Sequence, residues 1–580
     1  MKKLLKYMKE YWLRCLLAPF FKLLEATSEL FVPLVMADII DKGIKYGDCG
    51  YILGKCGILV LLAVLGLSFT VLAQYFSAVS AVGFVTNVKK ALMRHILSFE
   101  YSEIDRTGTA SLLARMTGDL SEVQNGVNLT LRLFMRSPFI VIGAAVMAFT
   151  VDRPGAMVFA VVIPILFAVV FAILLSCVPI FKKIQAKSEK LLFSVREHLY
   201  GVRVIRSFGI DGREKKKFDE DNGALTKFSR FAGKISALLN PLTYVIINLG
   251  IVALLYSGAI RVEEGKLTVG QTVALYNYMS QILIELLKLA NLVISISRSL
   301  SAASRVGEVF EIGSSAKQGG APVGDSDEAL RLEGVSFAYS DGASPVLSDI
   351  SFSLRKGETL GIIGPTGSGK TTLINLISGF YEPTQGNIKV YGGDASSLDQ
   401  PSLRRAVRRV PQHSVLFRGT VRDNLLWAQD ADDDELKDAA RTAQALGFIE
   451  EKGGLDAPVG EDGAGLSGGQ KQRLAIARAL VGRPGFIIFD DSFSALDPAT
   501  DKELRRSIGA LEQDPTVIIS SQRTSSVMSA DKILVLEDGR CVGYGAHAEL
   551  LSSCPVYREI YATQFGEESI PPLNGKEGAE

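Results

Sequence analysis

A glycine-rich octapeptide in the second half of the chain has the residue types that hold phosphate groups. It runs Gly-Pro-Thr-Gly-Ser-Gly-Lys-Thr from Gly364 to Thr371. Backbone N–H groups of such a loop wrap phosphate oxygens, its lysine reaches the β- and γ-phosphates, and its last hydroxyl ligates Mg²⁺. The predicted phosphate contacts are Gly364, Thr366, Gly367, Ser368, Gly369, Lys370, Thr371 and Thr372, with Thr371 also on the metal.

The residues on both sides of this loop predict the elements that must position it. Gly361–Ile363 is an apolar run typical of a strand, and Thr372–Ile377 has the composition of a helix. A helix N-terminus adds partial positive charge to a phosphate site. The loop alone predicts nucleotide binding, with ATP and Mg²⁺ as the expected ligands.

Two later motifs narrow the class. Leu466-Ser467-Gly468-Gly469-Gln470 precedes the apolar run Phe486–Phe489, which ends in Asp490 and is followed by Ser494-Ala495-Leu496-Asp497. With these motifs in this order, the chain resembles the ABC transporter family. In that family the Ser-Gly-Gly segment covers ATP bound by a second cassette, so that two nucleotides lie between two domains facing head to tail. The resemblance implies nucleotide contacts from Ser467, Gly468, Gly469, Gln470 and Asp497.

Three more positions follow from the resemblance. Tyr339 matches the aromatic residue that stacks on adenine, although an ordinary strand aromatic would look the same. Gln412 matches the glutamine that senses the γ-phosphate and Mg²⁺, the alternative being a solvated loop residue. Asp490 is expected to hold Mg²⁺ through water, because this hard cation prefers oxygen ligands and keeps several waters.

Two positions depart from the family pattern. Asp491 stands where the family has the glutamate that polarises the attacking water, and Gln522 stands where it has a histidine. A general base must lie within about 2.6–3.2 Å of its proton, and the aspartate is one methylene shorter. A glutamine amide can hydrogen-bond a phosphate but cannot carry charge or relay a proton. The pocket is therefore expected to hold ATP and cleave it poorly.

The chain has altered residues at the two hydrolytic positions, Asp491 and Gln522, but complete phosphate-loop and signature motifs. In this combination it resembles one subunit of a heterodimeric ABC exporter. Such a chain keeps a degenerate site of its own and completes its partner's hydrolytic site. The expected partner carries Glu and His at the positions that match Asp491 and Gln522, and an altered signature motif. Two alternatives remain: a homodimeric exporter with slow ATPase, and an ATP-gated regulatory or channel subunit.

The first half of the chain predicts the membrane domain. Three charge-free stretches exceed the roughly 20 residues that a bilayer-spanning helix needs. They are 57–87, 154–181 and 235–260. Three other predicted spans contain polar residues, and these are 13–40, 134–151 and 271–296. The predicted fold class is therefore a six-helix all-α transmembrane domain followed by a mixed α/β P-loop ABC ATPase domain.

Lysine and arginine placement predicts the orientation. Basic residues crowd the N-terminus and the segment 182–234, whereas the turns near Asp152 and Glu263 are short and not notably basic. This bias places both termini and the ATPase domain in the cytoplasm of a cell (inner or plasma) membrane. Segments 89–128 and 182–231 are expected to be cytoplasmic helix extensions. Their candidate tips, which in this family dock into the cassettes, are 102–111 and 210–214.

Composition sets the remaining boundaries. We predict a transmembrane domain at 1–312, a linker at 313–328, an ABC domain at 329–563 and a disordered tail at 564–580. The formal net charge of +1 argues against a nucleic-acid partner. By resemblance, the partners are a second half-transporter, membrane lipid and a small amphipathic cargo, such as a drug or a lipid.

One polar face on the sixth predicted span bears on cargo. Its residues lie within about 120° of one another at helical spacing, and they are Asn277, Gln281, Glu285, Lys288 and Asn291. Polar groups inside a bilayer usually face a bundle interior or a water-filled path. The face is interpreted either as a cavity wall or as helix-to-helix bonding that includes a Glu285–Lys288 pair.

Overall fold

The computed structural model describes residues 2–313, 323–340, 342–566 and 568. The chain divides into two compact units, one of residues 1–97 and 108–313, the other of residues 98–107 and 314–580. Linker residues 314–322 and tail residues 567 and 569–580 lie outside the described part of the chain, where the predicted linker and tail stay predictions. Gln564 and Phe565, which the sequence assigned to the disordered tail, instead end the helix Pro555–Phe565.

Residues 2–313 are built from helices. In chain order they are α1 (Lys2–Leu5), α2 (Trp12–Asp38), α3 (Cys49–Leu97), α4 (Tyr101–Thr107), α5 (Thr109–Ala114), α6 (Leu120–Leu129), α7 (Arg136–Val151), α8 (Arg153–Tyr200), α9 (Val202–Ser207), α10 (Asp211–Ala237), α11 (Leu239–Glu263) and α12 (Val269–Val309). A 3₁₀ segment covers Lys6–Tyr11, and π-helical segments cover Ile39–Ile44, Arg115–Asp119 and Thr130–Phe134. The last two join α5, α6 and α7 into one long helix.

Five helices in the described part of the chain are long and apolar enough to cross a bilayer. They are Cys49–Leu97, Thr109–Val151, Arg153–Tyr200, Asp211–Glu263 and Val269–Val309. Each contains one of the predicted spans. The sixth prediction, 13–40, falls on α2, which forms a helix of 27 residues but carries Lys22, Glu25 and Glu29 within it. Because of these charges, α2 is not among the helices that qualify as membrane spans by length and composition. Its role as a span stays a prediction.

Buried side chains explain how the helical unit holds together. Tyr278 of α12 is fully buried, and its hydroxyl donates to the Leu30 carbonyl of α2 over 2.7 Å. At the turn before α8, Asp152 accepts a hydrogen bond from Gly155 N–H and pairs with Arg261 at 2.7 Å. By contrast, most of the apolar stretch of α3 is exposed. That exposure is expected of a helix whose surface is covered by lipid tails.

The second unit combines sheets and helices. Its strands are β1 (Glu328–Phe337), β2 (Leu347–Arg355), β3 (Thr359–Ile363), β4 (Gln385–Val390), β5 (Gly393–Asp394), β6 (Val407–Val410), β7 (Gly419–Thr420), β8 (Pro458–Val459), β9 (Phe486–Asp490), β10 (Thr516–Ser520), β11 (Lys532–Glu537) and β12 (Arg540–Gly545). Its remaining helices are α13 (Lys370–Ile377), α14 (Gln400–Ala406), α15 (Val421–Leu426), α16 (Asp433–Thr442), α17 (Leu446–Glu451), α18 (Gly468–Leu480), α19 (Pro498–Gly509), α20 (Thr524–Val527), α21 (His547–Ser553) and α22 (Pro555–Phe565), with a 3₁₀ turn at Glu461–Gly463.

The larger sheet positions the chemistry. Its order is β12-β11-β3-β10-β9-β6, with every pair parallel except β11–β12, and a separate antiparallel sheet has the order β2-β1-β4-β5. Strands β9 and β10 are wholly buried. In open parallel sheets, ligands bind beyond the carboxyl ends of the strands. The loops after β3, β9 and β10 therefore meet at one edge.

One predicted tip contains most of a short helix, and the chain reversal expected at the other comes earlier in the sequence. Helix α4 overlaps the predicted tip 102–111 over residues 102–107, and it is grouped with the second unit. The other tip, predicted at 210–214, instead lies at the start of α10, and the reversal occurs around α9. Gly201 ends α8, and Gly209, with φ +62°, ends α9, so the breaks come earlier in the chain than the predicted tip 210–214.

Candidate nucleotide site

The phosphate loop joins β3 to α13, as its sequence predicts. Gly367 and Gly369 have φ +86° and +97°, values that residues with a Cβ rarely adopt. A Cβ on Gly364 would lie 2.1 Å from the Leu536 carbonyl oxygen, which limits this position to glycine. The loop thus depends on glycine both for its backbone conformation and for its packing against β11.

Polar atoms in this loop fit a phosphate ligand. Lys370 Nζ donates to the carbonyl oxygens of Gly364 and Pro365 at 2.7 and 2.9 Å, so its ammonium group lies over the loop. Burial lowers the Lys370 pKa. Ser368 Oγ is buried and has no hydrogen-bond partner among the described residues. A polar hydroxyl without a partner and a partly desolvated ammonium group are both satisfied by a bound anion.

The expected metal ligands also come together. Asp490 ends β9 with its side chain 2% exposed, and Thr371 Oγ1 donates to its Oδ1 at 3.3 Å. This hydroxyl and carboxylate are oxygen ligands of the kind that Mg²⁺ takes, with water filling its remaining positions. The donor set therefore fits Mg²⁺ beside a nucleotide phosphate.

Asp491 adopts a constrained backbone conformation. Its φ is +48°, and its N–H donates to the Ser520 carbonyl at 3.0 Å. Its Oδ2 accepts a hydrogen bond from Gln412 Nε2 at 3.2 Å. Burial raises the pKa of Asp491, and the Gln412 hydrogen bond partly opposes this rise. The shorter side chain is therefore paired with the glutamine that the sequence assigned to the γ-phosphate.

One cleft of about 330 Å³ collects most of the predicted residues. Its lining includes Thr366, Gly367, Gly369, Lys370, Thr371, Thr372, Gln412, Asp490, Asp491 and Gln522. Gln522 follows β10 and is exposed, and its carbonyl accepts from Gln564 Nε2 at 2.8 Å. The two altered positions, Asp491 and Gln522, thus belong to the same cleft as the intact phosphate loop.

Tyr339 lies just after β1 and is tied to the start of α13. Its hydroxyl and Thr372 Oγ1 are 3.0 Å apart, and its ring packs edge-on against Phe337 and Tyr381 at 5.0 and 5.4 Å. The side chain is 53% exposed. A supported aromatic ring with a free surface near the phosphate loop is suited to stack on a base.

The signature residues do not line this cleft. Ser467 caps α18 in a reciprocal capping box, with Ser467 Oγ accepting from Gln470 N–H and Gln470 Oε1 accepting from Ser467 N–H. Ser467 and Gly468 are exposed. Asp497 caps α19 by accepting from Thr500 N–H at 2.9 Å, a bond that lowers the pKa of Asp497. Ser467, Gly468, Gly469, Gln470 and Asp497 therefore lie outside the cleft that holds the loop.

The structure adds one residue that the sequence did not single out. Arg409 on β6 donates from Nη2 to Asp490 Oδ2 at 2.7 Å and from Nη1 to Asn375 Oδ1 at 2.6 Å. Its only sequence signal is its position in a short strand, VRRV, in which the two valines are buried and the two arginines are half-buried. Which acid it meets depends on the pairing of β6 with β9.

In the helical unit, Glu285 is the residue of the predicted polar face that other protein groups engage most. Glu285 is buried and bonds Arg136 at 2.5 Å, Ser137 at 2.8 Å and Lys288 at 2.9 Å. Arg136, which the sequence did not single out, also bonds Glu29 at 2.7 Å. Lys288 is 45% exposed, Asn291 is exposed, and Asn277 and Gln281 are half-buried. The Glu285–Lys288 pair is present, and Glu285 is fully occupied by protein partners.

Comparisons with known proteins identify the family of this chain. The profile for the ABC transporter transmembrane region matches residues 15–286, and the profile for the ABC transporter matches residues 347–494. An uncharacterised ABC transporter ATP-binding protein of Mycobacterium tuberculosis is 35% identical over 94% of both chains. YfiB of Bacillus subtilis, another uncharacterised ABC transporter ATP-binding protein, is 33% identical over 98% of this chain and 99% of its own.

A more distant relative and a solved structure extend the similarity. An ATP-dependent lipid A-core flippase of Vibrio parahaemolyticus is 28% identical over 98% of each chain. The structure of a bacterial Atm1-family ABC exporter with ATP bound superposes with a TM-score of 0.81, covering 98% of this chain and 99% of that one at 24% identity. The fold of the whole chain is thus similar to that of this exporter.

Proposed function

Because this chain belongs to the ABC transporter family, and joins a multi-pass helical membrane domain to an ABC ATPase domain, we propose that it is one of two unlike subunits of an ATP-driven exporter. Its own site binds ATP and hydrolyses it slowly. Its signature segment completes the hydrolytic site of the partner. The partner carries Glu and His at the positions that match Asp491 and Gln522.

The observation that carries this proposal is the position of Asp491, which lines the same cleft as the intact phosphate loop but has a short side chain bonded to Gln412. Its carboxylate is one methylene shorter than a glutamate and bonds Gln412 Nε2, and its backbone is held by Ser520. Gln522, in the same cleft, has an amide that does not titrate and so cannot relay a proton. Loss of a positioned base costs typically about 10²–10⁴ in rate. Binding groups without a competent base make a site that retains ATP.

The roles of the binding residues follow from their positions. Lys370 exchanges the Gly364 and Pro365 carbonyls for phosphate oxygens, and Thr371 and Asp490 hold the metal. Tyr339 offers its exposed ring to adenine. Bound Mg²⁺ neutralises phosphate charge. Gln412 is placed to report nucleotide occupancy, because its amide leaves Asp491 when it turns toward a γ-phosphate.

The exposed signature segment supports the two-chain arrangement. Ser467 and Gly468 lie at the N-terminus of α18 and outside this chain's own cleft. A helix N-terminus with exposed glycine suits a phosphate brought by another molecule. A second ABC subunit facing head to tail would bring that phosphate, and the membrane domain would carry the cargo.

The cargo we propose is a lipid or another amphipathic molecule. One relative is named as a lipid A-core flippase, and the exposed Lys288 with half-buried Asn277 and Gln281 gives α12 a polar path within an apolar bundle. A mixed polar and apolar surface suits a molecule with a charged head and apolar chains. Glu285 supports this path through Lys288 rather than by direct contact.

The test is ATPase activity of the purified chain in lipid, alone and co-expressed with a candidate partner. Activity that appears only with the partner supports the unlike pair, and the double substitution Asp491→Glu with Gln522→His is the control that restores a base. Robust activity of the unaltered chain alone would mean that Asp491 suffices and that the exporter is a homodimer. Ion conductance without ATP-coupled cargo flux would instead point to a channel subunit.

A further inference from the structure

We propose that Arg409 is a built-in cation that shares Asp490 with Mg²⁺, so that this site holds ATP with a low requirement for the metal. The inference concerns the same cleft as the proposed function and depends on that proposal only for ATP being the ligand. Arg409 acts through Asp490, so it is a positioning residue rather than a catalytic one.

The pairing is set by the sheet. Strand β6 runs parallel to β9 with Arg409 opposite Ile488, two residues before Asp490. From there the Arg409 guanidinium reaches forward, and Nη2 donates to Asp490 Oδ2 at 2.7 Å. The side chains are 15% and 2% exposed, so the ion pair is screened little by solvent.

Other groups hold the guanidinium in this position. Nη1 donates to Asn375 Oδ1 on α13, the helix that follows the phosphate loop, at 2.6 Å. The guanidinium carbon also lies 5.2 Å from the centre of the Phe380 ring, within cation–π range. Hydrogen bonds on two sides and a ring beneath keep the charge in place, so Arg409 need not be ordered when nucleotide arrives.

The consequence for the metal is electrostatic. Asp490 has two carboxylate oxygens, and Thr371 contacts one while Arg409 contacts the other. A hard cation is drawn to a carboxylate by its negative charge. The Arg409 guanidinium offsets the negative charge of the Asp490 carboxylate, and its own positive charge repels Mg²⁺. This repulsion is large where the dielectric constant is low. The same guanidinium offsets the repulsion between Asp490 and a bound phosphate.

The experiment measures nucleotide binding rather than turnover. The purified full chain in nanodiscs is photolabelled with 8-azido-ATP at 4 °C, once in excess Mg²⁺ and once in EDTA. For the unaltered chain, labelling with Mg²⁺ should exceed labelling in EDTA by no more than about twofold. For Arg409→Met the ratio should rise about tenfold, because a hydrogen bond to a charged group is lost and Asp490 repels unneutralised phosphate.

Three further variants make the test specific. Arg409→Gln keeps an N–H donor for buried Asp490, so it should fold where Arg409→Met does not, and its ratio should also rise. Arg409→Lys keeps the charge and should stay within about threefold of the unaltered chain. Arg408→Met is the matched control, because Arg408 donates to the Ala428 carbonyl at 3.2 Å rather than to Asp490.

Two results with the unaltered chain and the Arg409 variants, and a third with the Arg408 control, would overturn the inference. One is a ratio of about ten already in the unaltered chain, and the other is an unchanged ratio in both neutral variants of Arg409. An equal rise in Arg408→Met would also reject it, because the effect would then follow from any lost arginine on β6. High ATPase activity of the chain alone would reject the degenerate site but leave this ratio unaffected.

Discussion

Two adjacent carboxylates at the end of β9 have different environments. Asp490 is buried and bonded to Thr371 and Arg409, whereas Asp491 turns outward from a left-handed backbone and meets Gln412. Burial raises the pKa of Asp491, a shift that by itself would favour a general base at neutral pH. The proposed function instead depends on reach, because a base must contact the proton that it removes and the Asp491 side chain is one methylene shorter than a glutamate.

The first prediction separates reach from pKa. It uses the two-chain complex in which the partner's hydrolytic glutamate is replaced by glutamine, so that only this chain's site can turn over. Asp491→Glu with Gln522→His should raise the remaining ATPase rate at least about tenfold, toward the 10²–10⁴ that a positioned base contributes. Asp491→Asn should leave that rate within about twofold.

The measurement is phosphate release at saturating Mg·ATP. A fall of tenfold or more in Asp491→Asn would contradict the prediction, since it would show that the aspartate already acts as a base. Photolabelling with 8-azido-ATP confirms that each variant still binds nucleotide.

Element packing depends on a charged cluster in the membrane domain. Arg136 of α7 bonds Glu285 of α12 and Glu29 of α2, and Lys22 pairs with Glu25 on α2. Breaking a buried ion pair on one side typically costs about 3–5 kcal/mol, because a buried charge is left without a partner. The charges within α2 thus join it to α7 directly and to α12 through Arg136.

The second prediction tests that cluster. Arg136→Met should lower the thermal midpoint of the detergent-solubilised protein strongly, and Arg136→Met with Glu285→Gln should recover part of the loss. Arg132→Met is the control, because Arg132 lies four residues away and bonds the neutral Gln74 at an exposed position. Equal losses in the two single variants would refute a special role for the buried pair.

The contacts of helix α4 with Phe380 and Tyr381 can be tested by mutation. The Tyr101 ring stacks on Phe380 with 4.2 Å between centroids, and the Tyr381 hydroxyl donates to Asp105. Tyr381 also contacts Tyr339, the predicted adenine platform. Two aromatic pairs and the Tyr381–Asp105 hydrogen bond therefore form a row of contacts between α4 and the nucleotide cleft inside the second unit.

The third prediction follows from that row. Tyr101→Ala should reduce cargo-stimulated ATPase roughly two- to tenfold, matching the 0.5–1.5 kcal/mol typical of an aromatic pair, while ATP affinity stays unchanged. Tyr101→Phe keeps the stacked ring and should behave as the unaltered chain. ATPase with and without cargo and nucleotide binding are measured together. A parallel loss of ATP affinity would place the effect in the cleft instead.

At the scale of the whole molecule, the chain presents a signature segment that its own cleft does not use. The fourth prediction is that Ser467→Ala lowers the ATPase rate of the two-chain complex at least about tenfold, as expected when a hydrogen bond to a charged phosphate is lost. Photolabelling of this chain's own site should persist.

Thr420→Ala is the matched control for the fourth prediction. Thr420 caps α15 with the same reciprocal capping box that Ser467 makes at α18. Both substitutions remove a cap worth about 0.5–2 kcal/mol, so a shared loss of activity would indicate destabilisation alone. A loss confined to Ser467→Ala would assign the hydroxyl to the partner's nucleotide.

The sequence alone determined the short motifs, five of the membrane helices and the order of the two domains. Phosphate loops, helix caps and apolar spans are local, because neighbouring residues supply both the conformation and the chemistry. Tertiary structure decided which distant charges meet. Arg409 contacts Asp490 because β6 pairs in parallel with β9, and Arg136 contacts Glu285 although the two residues are 149 positions apart in the sequence. Such pairs depend on how strands and helices pack, which residue spacing does not specify.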